Sequence, residues 1–420
     1  MAISQVRAQF NGQWYTLTYN EQTRRYEAEI TPSVHSGGQP GGRFNVTVEA
    51  TNDTGSVSTT DGNTFAGLLV DVYETTKPTV TLVSPSPGYV TNSTPTVTFS
   101  AVDNEGGSGI NPSTAVVTLD GGAVPSDQVS ISAGSGGAYT IVYTPLVAIS
   151  DGAHQIALTI SDNDGNSSSV TAEYIIDTTP PELSVLLSFE EVVTDEYTVE
   201  ITGHAADVTA NPVTVTVKNN NGDPVSLPVE ETRFSHVLDL AVGENNIVVT
   251  ATDAAGLTTT REYYVIRLIT DRTQFDVDRA FDITLKMAQG TVTIDESIEW
   301  FLGMRGAYNA VDLNRVNTAM KYIHGWIENA GYTNDYVDQG IIWTTDDFQT
   351  QDQMQGYLNN VDAIGRVFPV KNPPALPSSM GFLTFISANS IEKVLVQTDK
   401  IKPLLDRSPF ISGEIYCGEV

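Results

Sequence analysis

Three stretches alternate apolar and polar residues with a period of two, then reach a turn in the same register. They are Val46-Thr-Val-Glu-Ala-Thr-Asn-Asp-Thr-Gly55, Ile156-Ala-Leu-Thr-Ile-Ser-Asp-Asn-Asp-Gly165 and Ile247-Val-Val-Thr-Ala-Thr-Asp-Ala-Ala-Gly256. In each, the glycine lies nine residues after the first apolar position, so strand faces and turn coincide. The pattern predicts a penultimate strand, a tight turn and a final strand. The final strands are expected over Ser56 to Thr60, Ser168 to Ile176 and Thr258 to Ile266.

Between the copies lie two similar linkers, Glu74-Thr-Thr-Lys-Pro-Thr-Val-Thr-Leu82 and Asp177-Thr-Thr-Pro-Pro-Glu-Leu-Ser-Val185. Proline fixes φ and removes a donor, so each hinge is stiff and the next strand starts after it. The expected domains are 1–76, 77–178 and 179–268, each an Ig-like β-sandwich by size and by strand and turn pattern. The Cys and Trp signature of antibody domains is missing from them.

After Leu268 the period becomes helical. Leu313, Val316, Met320, Ile323 and Ile327 step by 3, 4, 3, 4, as do Met354, Tyr357, Val361, Ile364 and Phe368, which predicts two amphipathic helices. Thr293-Ile-Asp-Glu296 and Thr350-Gln-Asp-Gln353 have capping-box spacing. Asn389-Ser-Ile-Glu392 is read as another start, with Pro403 as its stop. Val277, Phe281 and Leu285 suggest an opening helix, making about five. The expected fold class is therefore multidomain: three Ig-like all-β sandwiches in series, then a mainly α-helical domain over 269–420.

Composition narrows what such a chain can do. The 420 residues are too many for one ordinary core, and a single cysteine, Cys417, excludes an internal disulfide framework or a thiolate zinc site. The formal charge of -30 repels phosphate backbones and anionic lipid, so neither nucleic-acid binding nor membrane insertion is expected. No apolar run reaches membrane-spanning length. No export signal or anchor is visible, which makes release by lysis the expected route out of the cell.

Candidate chemistry is sparse. The acid pairs Glu190-Glu191, Glu230-Glu231 and Asp346-Asp347 are adjacent, and adjacent strand residues point to opposite faces rather than across a cleft. They read as solvated surface. His35, His154, His204, His236 and His324 are scattered without zinc spacing. Ser108 and Ser135 lie in the glycine-rich stretches Gly106-Gly-Ser-Gly109 and Gly134-Ser-Gly-Gly137, which are neither nucleophile elbows nor phosphate loops and read as flexible loops. Cys417 has no accompanying Cys-His signature. Asp162-Asn-Asp-Gly-Asn166 gathers hard oxygen ligands, so calcium is retained as an option at Asp162, Asp164 and Asp177. The plainer reading is that these acids make side-chain turns before a left-handed glycine and need no ion. No catalytic residue and no obligatory cofactor is expected.

Exposed aromatics could stack on sugar rings. In Trp14-Tyr-Thr-Leu-Thr-Tyr19 the alternation sets Tyr15, Leu17 and Tyr19 on one face and Trp14, Thr16 and Thr18 on the other. Trp300, Trp326 and Trp343 read as core or domain-interface residues.

Three C-terminal stretches carry a family likeness: Gly303-Met-Arg-Gly-Ala-Tyr-Asn-Ala-Val-Asp-Leu-Asn-Arg-Val316, Ser387-Ala-Asn-Ser-Ile-Glu-Lys-Val-Leu395 and Ser412-Gly-Glu-Ile-Tyr-Cys-Gly-Glu-Val420. Together they resemble a helical module of tail-associated proteins in phages and prophages of Gram-positive bacteria. The resemblance covers about the last 150 residues. It implies a non-enzymatic virion protein of the tail, tail tip or baseplate, present in multiple copies and made in the host cytoplasm. Its implied partners are other phage structural proteins and host cell-surface polysaccharide. The alternatives are a bacterial surface adhesin or carbohydrate-binding protein, and a phage head-decoration or head-fibre protein.

Overall fold

A computed structural model describes residues 2–344, 349–370 and 372–407. Asp346, Asp347, Cys417 and the stretch Ser412 to Val420 lie outside the described residues. The chain forms two compact units, Met1–Thr179 and Pro180–Val420.

In the first unit, strands Arg25–Glu27, Gln13–Asn20, Ile3–Phe10, Thr47–Asn52 and Val57–Thr60 lie in that order in one sheet. Their pairings are antiparallel. Facing it is only a two-stranded ladder, Phe44–Asn45 with Leu69–Val70, because the Gly- and Pro-rich residues 28–43 form no strand. This first sandwich therefore has a small core: Ala8, Phe10, Phe44 and Val46, with Tyr15 and Leu17 packed against it. Tyr15 and Leu17 are thus the inward face, while Trp14 stands half-exposed beneath the Arg7 guanidinium, 4.3 Å away.

The second sandwich, in the same unit, has two full sheets. Val129–Ala133, Tyr139–Tyr143, Val97–Val102 and Thr79–Ser84 form one. Gly122–Ala123, Ile110–Leu119, Gly152–Asp162, Ser167–Ile176 and Gly88–Val90 form the other, the last two paired in parallel. The predicted alternation is visible as burial: Val97, Phe99 and Ala101 from one sheet meet Ile156, Leu158 and Ile160 from the other, all essentially inaccessible.

The second unit opens with a sandwich of the same plan. Glu182–Leu187, Thr198–Ala206 and Arg233–Asp239 face Val193–Thr194, Thr258–Arg267, Gly243–Thr252, Thr214–Asn219 and Val225–Leu227. Again a short strand pairs in parallel with the last one. Both sandwiches also hold a tyrosine on the final strand whose hydroxyl donates to a first-edge carbonyl: Tyr174 to Pro85 at 2.9 Å and Tyr263 to Val185 at 3.0 Å.

Among the described residues six helices follow: α1 (Gln274–Gln289), α2 (Ile294–Leu302), α3 (Ala310–Asn329), α4 (Gln351–Gly365), α5 (Phe385–Asp399) and α6 (Lys402–Arg407). The capping boxes at Thr293 and Thr350 form as the spacing predicts, and Thr273 and Asn309 start α1 and α3 in the same way. α5 begins earlier than expected: the Thr384 side chain accepts from the Ser387 N–H, and Asn389 instead exchanges hydrogen bonds with the Arg272 backbone. The buried face of α1 also differs from expectation. Ala280 and Ile283 are its inward residues, while Phe281 and Leu285 are exposed.

The helical stripes of α3 and α4 bury against α5, and their core is continuous with Val193, Ile266 and Leu268 of the adjoining sandwich. Trp326 and Trp343 belong to this core, whereas Trp300 packs on a small separate cluster with Ala280, Ile283 and Met304. Ionic groups seal the junction. Arg272 Nη2 contacts Asp312 at 2.9 Å and Glu392 at 2.6 Å, and Arg315 Nη2 contacts the same two acids at 2.5 and 2.9 Å. The second Glu392 oxygen accepts the Ile269 N–H at 2.6 Å. Two guanidinium groups and two carboxylates neutralise one another, as buried ions require.

Candidate metal centre

The hairpin Gly152–Asp162/Ser167–Ile176 ends in the turn that the sequence singles out. Asp162 is buried there, with Oδ1 accepting the Asn166 N–H and Oδ2 accepting the Asn166 side-chain amide, each at 2.8 Å. This is the side-chain turn expected of Asp before a left-handed glycine, Gly165.

The structure regroups the acids around it. Asp177 follows the far end of the ten-residue strand Ser167–Ile176, roughly 33 Å from the turn at 3.3 Å per residue, so it shares no site with Asp162. Asp177 is buried, and its Oδ1 accepts the Thr179 N–H at 3.3 Å. Asp164 turns to the linker, where its carboxylate accepts the Glu74 N–H at 2.7 Å. The acids that do converge on Asp162 are Glu74, from the linker, and Asp103, just beyond the strand Val97–Val102. One oxygen from each of Glu74, Asp103 and Asp162 lies within 4.8 Å of the others.

The loop Gly106-Gly-Ser-Gly109, expected to be flexible, is the wall of this cluster. The Ser108 N–H donates to Glu74 Oε1, and the Gly109 N–H donates to Asp103 Oδ2 at 2.6 Å. Ser108 Oγ accepts the Asp164 N–H at 3.1 Å. Gly107 has no room for a side chain: a Cβ there would stand 2.6 Å from Asp103 Oδ2 and 2.9 Å from Glu74 Oε2. These contacts tether the first linker to the second sandwich, and Asn166 adds a bond to the Glu74 carbonyl at 3.1 Å.

Electrostatics leave the cluster under-neutralised. Glu74 Oε2 and Asp103 Oδ1 are inaccessible and accept no hydrogen bond. Burial opposes ionisation of Glu74, but the Ser108 backbone and side chain outweigh it and hold the carboxyl below its ordinary range. Burial raises Asp103, and the neighbouring charges of Glu74 and Asp162 add to that against the Gly109 and Asn104 amides. Hard carboxylate oxygens at this spacing, two of them unused, form a donor set suited to calcium.

The third sandwich repeats two of the three positions. Asp207 follows the strand Thr198–Ala206 and Asp253 follows Gly243–Thr252. Asp253 Oδ1 accepts the Leu257 N–H at 2.9 Å, while its Oδ2 is inaccessible and accepts none.

The other candidates stay apart. Glu190 and Glu191 fold on one another, the Glu190 N–H donating to the Glu191 carboxylate at 3.2 Å. Glu230 and Glu231 sit in a turn in which Glu231 and Thr232 take positive φ. Ser135 lies in a short turn closed by the Gly134 N–H to the Ala138 carbonyl at 2.7 Å. His154 bridges the Asp120 carboxylate and the Ser150 carbonyl, each at 2.8 Å. The His324 ring lies tilted against Tyr336, with ring centres 4.6 Å apart. His204 and His236 lie on neighbouring strands of the three-stranded sheet. Among the described residues, none of these groups forms a nucleophile–base pair or an acid pair across a cleft. Among the described residues no helix is long and apolar enough to cross a membrane.

Comparison with known proteins gives one family match and weak structural likenesses. Residues 181–267, the third sandwich, match the family described as glucodextranase, domain B. No curated protein matches the chain. Among solved structures, fibronectin(III)-like modules of Clostridium thermocellum CbhA are similar at 16% identity, over 47% of this chain and 98% of that one, with a TM-score of 0.30. The I67–I69 fragment of the titin I-band is similar at 13% identity over 63% and 87%, with a TM-score of 0.32. The strand pairings themselves define the chain as Ig-like β-sandwiches followed by a helical C-terminal region.

Proposed function

We propose that this chain is a non-enzymatic structural protein of a phage virion, in the tail or its tip, whose sandwiches present surface for attachment to host glycans. The helical region is the assembly element. The observation that carries the reading is the shared core at the base of the third sandwich: Val193, Ile266 and Leu268 pack into the helical bundle, and the Arg272–Asp312–Arg315–Glu392 cluster pins the strand exit. A display domain fused rigidly to a helical base suits a mounted structural part, and the resemblance of the C-terminal stretches to tail-associated modules supplies the kind of particle.

Immunogold electron microscopy of particles released from the producing culture, with antibody raised to the chain, tests this. Label at one end of the tail is the expected result. Label on the head would move the protein to a decoration or fibre role. Labelled intact cells without labelled particles would replace the reading with that of a cell-surface adhesin.

A further inference from the structure

We propose that the α1–α2 hairpin is a self-association surface that pairs with the same hairpin of a second copy into a four-helix bundle. The two helices are joined by only residues 290–293, a connection that makes them antiparallel neighbours. Their own core is small, consisting of Ala280, Ile283 and Met304 with Met287, Trp300 and Ala307 around it. Outside it, Phe281 and Leu285 on α1 and Ile294, Ile298 and Phe301 on α2 are between 46% and 80% exposed.

These five side chains form one surface. On α2 they step by four and three, which is a single helical stripe. Phe281 follows the buried Ala280 by one residue, and Phe301 follows Trp300 by one, a rotation of about 100° in each case. On antiparallel helices the same rotation brings both stripes to the same side of the hairpin. The flanks are charged and internally paired: Arg279 meets Glu296 and Glu299, and Lys286 meets Asp282 and Glu296. An apolar stripe with a charged rim is the anatomy of a protein interface, and the acids Asp278, Asp282, Asp295 and Glu299 around it disfavour an anionic lipid surface.

The area fits a second copy. Five largely exposed side chains of this size present on the order of 600 Å² of apolar surface, so two-fold pairing would remove on the order of 1,200 Å² from water, the lower bound for a specific interface. A hairpin supplies half of a four-helix bundle, and a two-fold axis supplies the other half from the same patch. This inference does not depend on the virion reading.

Sedimentation velocity of the full chain across a concentration series tests it. The wild type should shift from monomer to dimer, and the Phe281→Glu/Phe301→Glu double variant should remain monomeric, with circular dichroism and melting unchanged. If that pair perturbs folding, Ile298→Ala serves instead and should weaken the dimer about tenfold, equivalent to about 1.4 kcal/mol. A wild type that stays monomeric to hundreds of micromolar, or a dimer indifferent to both variants, overturns the proposal. The first of these outcomes would assign the stripe to a different chain.

Discussion

Asp103 is the residue at which the second sandwich is most strained electrostatically. Its carboxylate is partly buried beside two others. Asp103→Asn keeps an oxygen for the Gly109 N–H and removes one of three like charges, so in chelating buffer the variant should melt at or above the wild-type temperature. Calcium should raise the wild-type melting temperature by several degrees and leave the variant nearly unmoved, because only a ligand held by the folded state stabilises it. Coincident wild-type melts with calcium and with chelator would leave the cluster to its turn hydrogen bonds alone. A second titratable pair behaves oppositely. Burial opposes protonation of His154, but Asp120 and the Ser150 carbonyl outweigh it and raise its pKa, while the Gln155 N–H and His154 lower that of Asp120. A raised histidine stabilises the fold fully below its unfolded pKa, about 6.5, and that contribution fades as pH rises through the folded value. The lowered Asp120 stabilises above its unfolded pKa, about 3.9, and its contribution is lost as pH falls. The pair should therefore stabilise most between these limits, and an NMR titration should place His154 above 6.5. A value at or below 6.5 would show that the contact is not formed in solution.

Elements reproduce the sequence patterns wherever one face is decided by burial. The penultimate and final strands appear as Thr47–Asn52 with Val57–Thr60, Gly152–Asp162 with Ser167–Ile176, and Gly243–Thr252 with Thr258–Arg267, within a residue or so of expectation for the final strands. Slipping one residue would turn every core side chain outward, so alternation was a reliable guide. Caps were legible for the same kind of reason, since a hydroxyl three residues before a carboxylate or amide has one local use. The face of α1 was not legible. Phe281 and Leu285 look like core by hydrophobicity, and only the position of α2 and Met304 shows that Ala280 and Ile283 face inward. Sheet packing also fixes Gly203, where an added Cβ would lie 2.3 Å from both the Phe234 ring and the Ser184 carbonyl. Gly203→Ala should therefore cost about 1–3 kcal/mol, seen as a lower denaturation midpoint with unchanged slope. A midpoint equal to the wild type would mean that the strands separate there at little cost.

At the scale of the whole chain, the second unit is one energetic object although its sequence reads as two. Removing Glu392 would leave Arg272 and Arg315 with one carboxylate between them and the Ile269 N–H without its acceptor. Glu392→Ala should cost about 3–5 kcal/mol, as for other broken buried ion pairs. A chain ending at Leu268 should likewise retain the first two sandwiches, while the third melts earlier by calorimetry, having lost its partners for Val193 and Ile266. The Asp399 carboxylate, which accepts the Val192 and Val193 N–H groups at 2.7 Å each, would be lost as well. A third sandwich that melts identically after truncation would show the junction to be energetically idle. By itself, the sequence determined the sandwiches, the helical stripes and the turn at Asp162, because alternation, helical periodicity and side-chain turns act over short stretches of chain. Which acids meet was decided only by the tertiary structure. Asp177 is grouped with Asp162 in the sequence reading yet lies a strand length away in space, while Glu74 and Asp103 reach Asp162 from other segments. Carboxylate clustering, the Arg272 network and the exposed side of α1–α2 all depend on residues between 17 and 120 positions apart, and no local pattern encodes that distance.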